Sequence, residues 1–227
     1  MIEYEKSNIY VVENILDNSF CEKVIKLIDK LPSVKVNYSY NNNVKCHLIV
    51  LNELLQLNDD IYYKFQLDSQ MLPLKNDNIY INNLNGISQT QLFEINNEMN
   101  GKMKLLSNIM KHINWHIKFD HSGFLLRKIY GETRLHVDGC DIHRSNITFI
   151  DEVIQNYEMI RNSSIIFGLN DDYDDGIFSF PYHNINIKLK KGSVIIFPPY
   201  WTHPHNVSNL NDTFRYTIST WSFQNLK

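Results

Sequence analysis

The stretch Ser193-Val194-Ile195-Ile196-Phe197-Pro198-Pro199, followed by His203-Pro204-His205-Asn206-Val207 and then Phe214-Arg215-Tyr216-Thr217-Ile218-Ser219-Thr220-Trp221, decides the fold. Each run is short, rich in β-branched and aromatic residues, and bounded by Pro, Asn or Asp, the punctuation of antiparallel strands. Working back along the chain, the same pattern covers Phe124–Tyr130, Leu135–Val137, Ser164–Leu169, Ile177–Phe180 and Ile185–Leu189. Many short strands at such close intervals predict a sandwich or barrel. Residues 139–160 break the series with a polar insertion that is expected to be partly helical.

Before residue 123 the character differs. Ile9-Tyr10-Val11-Val12 reads as a strand, and Asp17-Asn18-Ser19 offers caps for a helix from Phe20. Val24, Ile25, Leu27 and Ile28 recur at helical spacing until Pro32 stops the run. An Asn-rich loop spans Tyr38 to Val44, and residues 47–87 carry no resolvable pattern. A second amphipathic helix is expected over Asn97 to His112, with Met103, Leu106, Ile109 and Met110 on one face. The expectation is one α+β, mainly β domain over 1–227. Residues 1–122 serve as mostly helical support, and residues 123–227 form a jelly roll (double-stranded β-helix).

Composition narrows the function classes. A chain of 227 residues with 43% hydrophobic content can bury a core without disulfides or structural metal. A net charge of −3 without a basic stretch argues against nucleic acid as partner. No apolar run approaches the roughly 20 residues that cross a bilayer, and Met1-Ile2-Glu3-Tyr4-Glu5-Lys6 is unlike a signal peptide. Cys21, Cys46 and Cys140 are odd in number and form no CxxC pair. A cytoplasmic, intracellular setting without membrane attachment is therefore expected. Alanine is absent, and Asn and Ile are each roughly an eighth of the chain, as AT-rich coding would give. That bias makes isolated motifs cheap, so weight falls on spacing shared by several motifs.

His136-Val137-Asp138 is such a motif. Residues two apart on a strand share a face, so an imidazole and a carboxylate converge. A second histidine on a late strand of the same roll completes a two-His-one-carboxylate set, which suits Fe(II) with open coordination positions. Both His203 and His205 stand in place for this. The Val two positions on and the ten-residue spacing to Arg215 favour His205.

Together these segments resemble the Fe(II)- and 2-oxoglutarate-dependent dioxygenases, in particular the prolyl 4-hydroxylase-like branch. The matching segments are His136-Val137-Asp138, Leu169-Asn170 with its turn to Gly176, Gly192 through Pro198, and His205-Asn206-Val207 with Arg215-Tyr216. Departures are Asp175 where the branch has Gly before Gly176, and Thr213 where it has Gly before the basic residue. Neither removes a chemical group. The resemblance implies iron on His136, Asp138 and His205. It implies 2-oxoglutarate held by Arg215, with Thr217 and Tyr130 as further contacts, although Tyr130 stands closer to His136 than usual. It also implies O2 as oxidant, ascorbate as a possible support, and release of succinate and CO2. The implied substrate is an amino-acid C–H bond in a peptide or protein, or in a free amino acid or other small molecule. Asp138 occupies the position that related halogenases leave vacant, which favours hydroxylation. Trp221 stands where nucleic-acid demethylases of the superfamily carry a second Arg. A jelly roll that binds metal or a small ligand without turnover is the alternative.

Other features carry less. His112 and His116 have zinc-like spacing but no accompanying Glu. Asp171 to Gly176 reads as an acidic turn and not a calcium loop. Arg127, Lys128, Arg134, His143, Arg144 and Arg161 form either an entrance patch or ordinary surface charge.

Overall fold

A computed structural model describes residues 2–30, 46–50, 88–112, 121–139, 142–147 and 155–225. The Asn-rich loop at 38–44, most of residues 47–87, His116 and Cys140 lie outside the described residues.

The chain starts with a hairpin of β1 (Ile2–Lys6) and β2 (Ile9–Val12). Its two loop residues, Ser7 and Asn8, take φ of 55° and 60°, the left-handed pair that matches strand twist. Helix α1 (Asn18–Lys30) follows, with Phe20, Cys21, Val24, Leu27 and Ile28 buried at helical spacing. Strand β3 is Cys46–Val50. Helix α2 (Gln89–Lys111) starts earlier than its Met-rich stripe suggests. Ser88 accepts from the Gln91 N–H while the Gln91 side chain accepts from the Ser88 N–H, a capping box. Leu92, Ile95, Met99, Met103, Leu106 and Met110 then form one unbroken buried stripe.

The remaining strands are β4 (Leu125–Ile129), β5 (Thr133–His136), β6 (Ile142–Ile147), β7 (Gln155–Gly168), β8 (Phe178–Phe180), β9 (Ile185–Ile187), β10 (Val194–Phe197), β11 (His205–Val207) and β12 (Arg215–Asn225). They make two antiparallel sheets, a larger one ordered β1-β2-β10-β7-β12-β4-β3, with β6 also on β7, and a smaller one ordered β5-β11-β8-β9. The fold is α+β, mainly β, and a jelly roll. One expectation is corrected. Within the segment 139–160, the described residues 142–147 and 155–160 are extended and not helical: β6 pairs with the first half of β7. β12 pairs with the rest of β7, from Gly168 as far as Met159 opposite Asn225. Before residue 123, β1, β2 and β3 belong to the larger sheet beside the helices α1 and α2.

Alternation along the strands divides the core. Tyr10, Val12, Leu126, Ile165, Phe167, Val194, Ile196 and Ile218 pack against the stripes of α1 and α2. Ile9, Val11, Ile195 and Phe197 face the other way, onto Phe178, Phe180, Ile185 and Val207 of the smaller sheet. Burying each such aromatic or aliphatic side chain contributes about 1.5–3 kcal/mol. Gly192 closes the entry to β10 with φ of 76°; a Cβ there would stand 2.5 Å from the Leu16 carbonyl oxygen. Its own carbonyl accepts from the Ile15 and Leu16 N–H groups, tying β10 to the segment before α1. The acidic run from Asp171 is a turn, as expected: Asp171 accepts from the Lys191 N–H, Asp172 from Asn170 and Asp175 from Asn211.

Candidate active site

The smaller sheet sets His136 opposite His205, as Cα partners on β5 and β11. Asp138 lies just past the end of β5, so strand alternation alone does not aim it. Its backbone is anchored instead, by an Arg161 guanidinium bond to the Asp138 carbonyl and by the Gly139 N–H donating to Pro199 O at 3.1 Å. One ligand atom from each of His136, Asp138 and His205 then lies within 4.8 Å of the others. Asp138 Oδ1 is 3.4 Å from His136 Nε2 and 3.9 Å from His205 Nε2. Ligands at right angles, roughly 2.1 Å from a common ion, stand about 3 Å apart, so small side-chain adjustments close the set around a cation.

The orientation of each group is fixed from behind. His136 Nδ1 lies 2.8 Å from Arg134 O, and His205 Nδ1 lies 3.2 Å from His203 O. A carbonyl only accepts, so each Nδ1 is placed to donate and each Nε2 is the nitrogen turned toward the carboxylate. Ser164 Oγ and Trp221 Nε1 both donate to Asp138 Oδ2, the latter at 3.2 Å, which leaves Oδ1 for the imidazoles. Ser164 and Trp221 are partners across β7 and β12, which brings their side chains together on one face. Arg161 stacks on the Trp221 ring with its Cζ 4.5 Å from the centroid.

Electrostatics follow this layout. Burial pushes His205 down to about 4, so it is neutral at pH 7 with a usable lone pair. Burial also disfavours charge on His136, but the Asp138 hydrogen bond and charge outweigh it and raise its pKa. Burial alone would raise the Asp138 carboxyl; its hydrogen bond to His136 and the charges of both imidazoles hold it well below the usual carboxylate range.

A pocket opens from these ligands and runs along β12. Arg127, Thr133, Phe178, Arg215, Ser219 and Trp221 are among its lining residues. Arg215 is buried, its Cζ 4.7 Å from the centre of the Phe178 ring. Thr217 is fully buried two residues along the same strand face. Thr217 Oγ1 and Ser219 Oγ meet no hydrogen-bond partner among the described residues. Buried hydroxyls without partners beside a guanidinium suit an anionic, oxygen-rich molecule.

The structure thus gathers His136, Asp138, His205 and Arg215 at one pocket, with Thr217 on the same face. It does not bring Tyr130 there: the Tyr130 hydroxyl donates to Asp212 at 2.8 Å and its ring lies 5.7 Å from that of Phe214. His203 is also turned away. Its Nε2 bonds Ser7 O, its Nδ1 lies 2.8 Å from Thr202 Oγ1, and its ring stacks on His183. Residue 203 precedes β11, so the shared face that two-residue spacing implies does not arise. Sequence reasoning missed Ser164, Ser219 and the role of Trp221. Ser164 stands on β7 and Trp221 on β12, so only register connects either of them to Asp138, while Ser219 shares the Arg215 face of β12.

No protein-family model matches the chain, and no curated protein matches it in sequence. Solved structures do match in fold. A viral collagen prolyl hydroxylase from Paramecium Bursaria Chlorella virus-1, in complex with 2-oxoglutarate, superposes with a TM-score of 0.53 at 15% identity, over 97% of each chain. A prolyl hydroxylase from Trichoplax adhaerens, bound to a peptide fragment of the hypoxia inducible factor oxygen degradation domain, gives 0.54 at 12% identity, over 96% of this chain and 84% of that one. A Pseudomonas putida prolyl-4-hydroxylase gives 0.52 at 12% identity, over 97% and 94%. At these identities the likeness establishes a common fold.

Proposed function

We propose that the protein is an Fe(II)- and 2-oxoglutarate-dependent dioxygenase that hydroxylates a C–H bond of an amino acid, peptide-borne or free. The observation that carries this reading is the convergence of His136 Nε2, His205 Nε2 and Asp138 Oδ1 at the mouth of a pocket that holds buried Arg215. The donor set is two neutral imidazoles and one carboxylate, which fits Fe(II) and leaves positions for cosubstrate and O2. Bound there, iron with 2-oxoglutarate supplies the oxidising power for decarboxylation to succinate and CO2 and for oxygen insertion into substrate.

The chain's own residues bind and orient. Arg215 pairs with the distal carboxylate of the cosubstrate, and its place over Phe178 keeps water from that ion pair. Such charge-assisted bonds contribute about 1.5–3 kcal/mol. Thr217 is the nearby hydroxyl donor. Ser164 and Trp221 restrain Oδ2, so Asp138 offers one oxygen and occupies one position. The fold shared with prolyl hydroxylases, one of them peptide-bound, supports a prolyl or related amino-acid substrate. No helix among the described residues is long and apolar enough to cross a membrane.

The test is succinate release and O2 uptake by purified protein with Fe(II), 2-oxoglutarate and ascorbate, across prolyl peptides and free amino acids. Substrate-stimulated succinate together with a product heavier by one oxygen is the expected result. Tight 2-oxoglutarate binding with no oxygen uptake for any substrate would make it a ligand-binding jelly roll instead.

A further inference from the structure

Regular alternation along β7 would turn Arg161 away from the ligands. Ser164 faces them and Ser163 does not, so a regular strand would aim Asn162 inward and Arg161 out towards the helices. The pairing with β12 slips at this point: Trp221 opposes Ser164, Ser222 opposes Ser163, and Phe223 opposes Arg161. Asn162 is thus the extra residue of a β-bulge, and beyond it the two faces exchange. Arg161 shares the inner face of Trp221 and Phe223, and its Cζ stands 4.5 Å from the Trp221 ring centre.

The bulge completes a closed bracket of contacts. The β5–β11 ladder ends with His136 opposite His205, so no strand pairing among the described residues fixes Asp138 against either imidazole. The Arg161 guanidinium donates to the Asp138 carbonyl, and the next residue, Gly139, donates its N–H to Pro199 O at 3.1 Å. Tyr200, adjoining Pro199, donates its hydroxyl to the Arg161 carbonyl at 2.8 Å. The contacts run from Asp138 and Gly139 to Pro199 and Tyr200, on to Arg161, and back to Asp138. Pro199 and Tyr200 belong to the segment that leads into His205 on β11. Arg161 is buried there, and a planar guanidinium can donate in its own plane while its face lies on a ring.

We propose that Arg161 is a positioning residue for the metal: turned inward by the bulge, its guanidinium holds the Asp138 backbone and the Trp221 ring together and so sets how the carboxylate meets the ion. This rests on the dioxygenase reading through the divalent ion that the three ligands would hold.

The test is metal binding under argon with two probes, Mn(II) titration for affinity and the visible absorption of bound Co(II) for ligand arrangement. Arg161→Met, of similar reach but without donors or charge, binds Mn(II) about 10- to 100-fold more weakly than wild type. At saturating Co(II) its absorption band still differs from that of wild type, because Asp138 meets the ion at another angle. Arg161→Lys falls between the two in affinity, since an ammonium serves the carbonyl or the ring but not both. Melting curves without metal verify folding. Should Arg161→Met fail to fold, Tyr200→Phe removes a single hydroxyl of the same bracket and decides the matter by the same two readouts. A lowered melting temperature with wild-type Mn(II) affinity and an unaltered Co(II) band overturns the proposal, because Arg161 then serves the fold alone. Failure of wild type to bind either ion is a different result, which removes the dioxygenase reading and this inference with it.

Discussion

Strands β10 and β12 bound the same interior with only β7 between them, yet their inner faces are chemically opposite. Ile195 and Phe197 of β10 meet Ile9, Val11 and Phe180 in a dry cluster. On β12 the inner positions are Arg215, Thr217, Ser219 and Trp221, beside the three candidate ligands. Apolar contacts are non-directional and tolerate small misfits, so the β10 side holds the two sheets together. The β12 side is polar and buried, and each of its groups needs a named partner or a ligand. The halves meet through aromatic rings. Phe197 and Phe180 lie 4.6 Å and 5.6 Å from the His205 ring, and Phe178 underlies Arg215. The apolar packing lies on one side and the candidate binding groups on the other, with the aromatic seam in contact with both.

The division can be broken by mutation. Asp138→Ala should lower succinate formation by about a thousandfold or more while cooperative unfolding persists. Wild-type turnover in that variant would end the assignment of chemistry to the β12 side. Phe197→Ala should cost about 3–5 kcal/mol in urea unfolding and should also weaken metal binding, because His205 loses its backing. A variant of Phe197 with lost stability and unaltered Mn(II) affinity would show that the seam transmits nothing. Trp221→Phe keeps an aromatic ring but removes the indole donor to Asp138, and Mn(II) titration should show affinity about 10- to 100-fold lower. The smallest effect is expected far from both halves, at Cys21 of α1, whose thiol burial pushes up to about 11. An unfolded cysteine ionises near pH ~8.5. The raised native value therefore contributes stability that is complete below that pH and is lost as pH climbs towards 11. Comparing urea midpoints of wild type and Cys21→Ala from pH 8 to 11 isolates this effect, since the variant lacks the cysteine-dependent slope.

What the sequence disclosed and what it hid follow from the range of the interactions involved. Strands β8 to β12 were legible because period-two burial and Pro, Asn and Gly punctuation are local signals. His136, Asp138, His205 and Arg215 were legible because their types and spacings are constrained jointly. The β6–β7 pairing was hidden because the segment is polar and without period-two burial, and the rest of β7 pairs with β10 and β12, remote in sequence. The early start of α2 was in fact written in Ser88 and Gln91, a capping box that the stripe of methionines overshadowed. Arg127 appeared in the sequence only as one of several neighbouring cations. Pairing separates them: Arg127 faces inward, Lys128 outward, and Arg161 grips the Asp138 carbonyl.

The hydrogen bond from His203 Nε2 to the carbonyl of Ser7 joins residues 196 positions apart and braces the segment that carries His205. During synthesis the first hairpin emerges long before the strand it supports. The candidate ligands His136 and His205 also belong to paired strands separated by that same late arrival. A nascent chain that lacks its last strands therefore presents no complete ligand set, however long it waits on the ribosome. A product truncated before β11 carries only two of the three candidate ligands, His136 and Asp138.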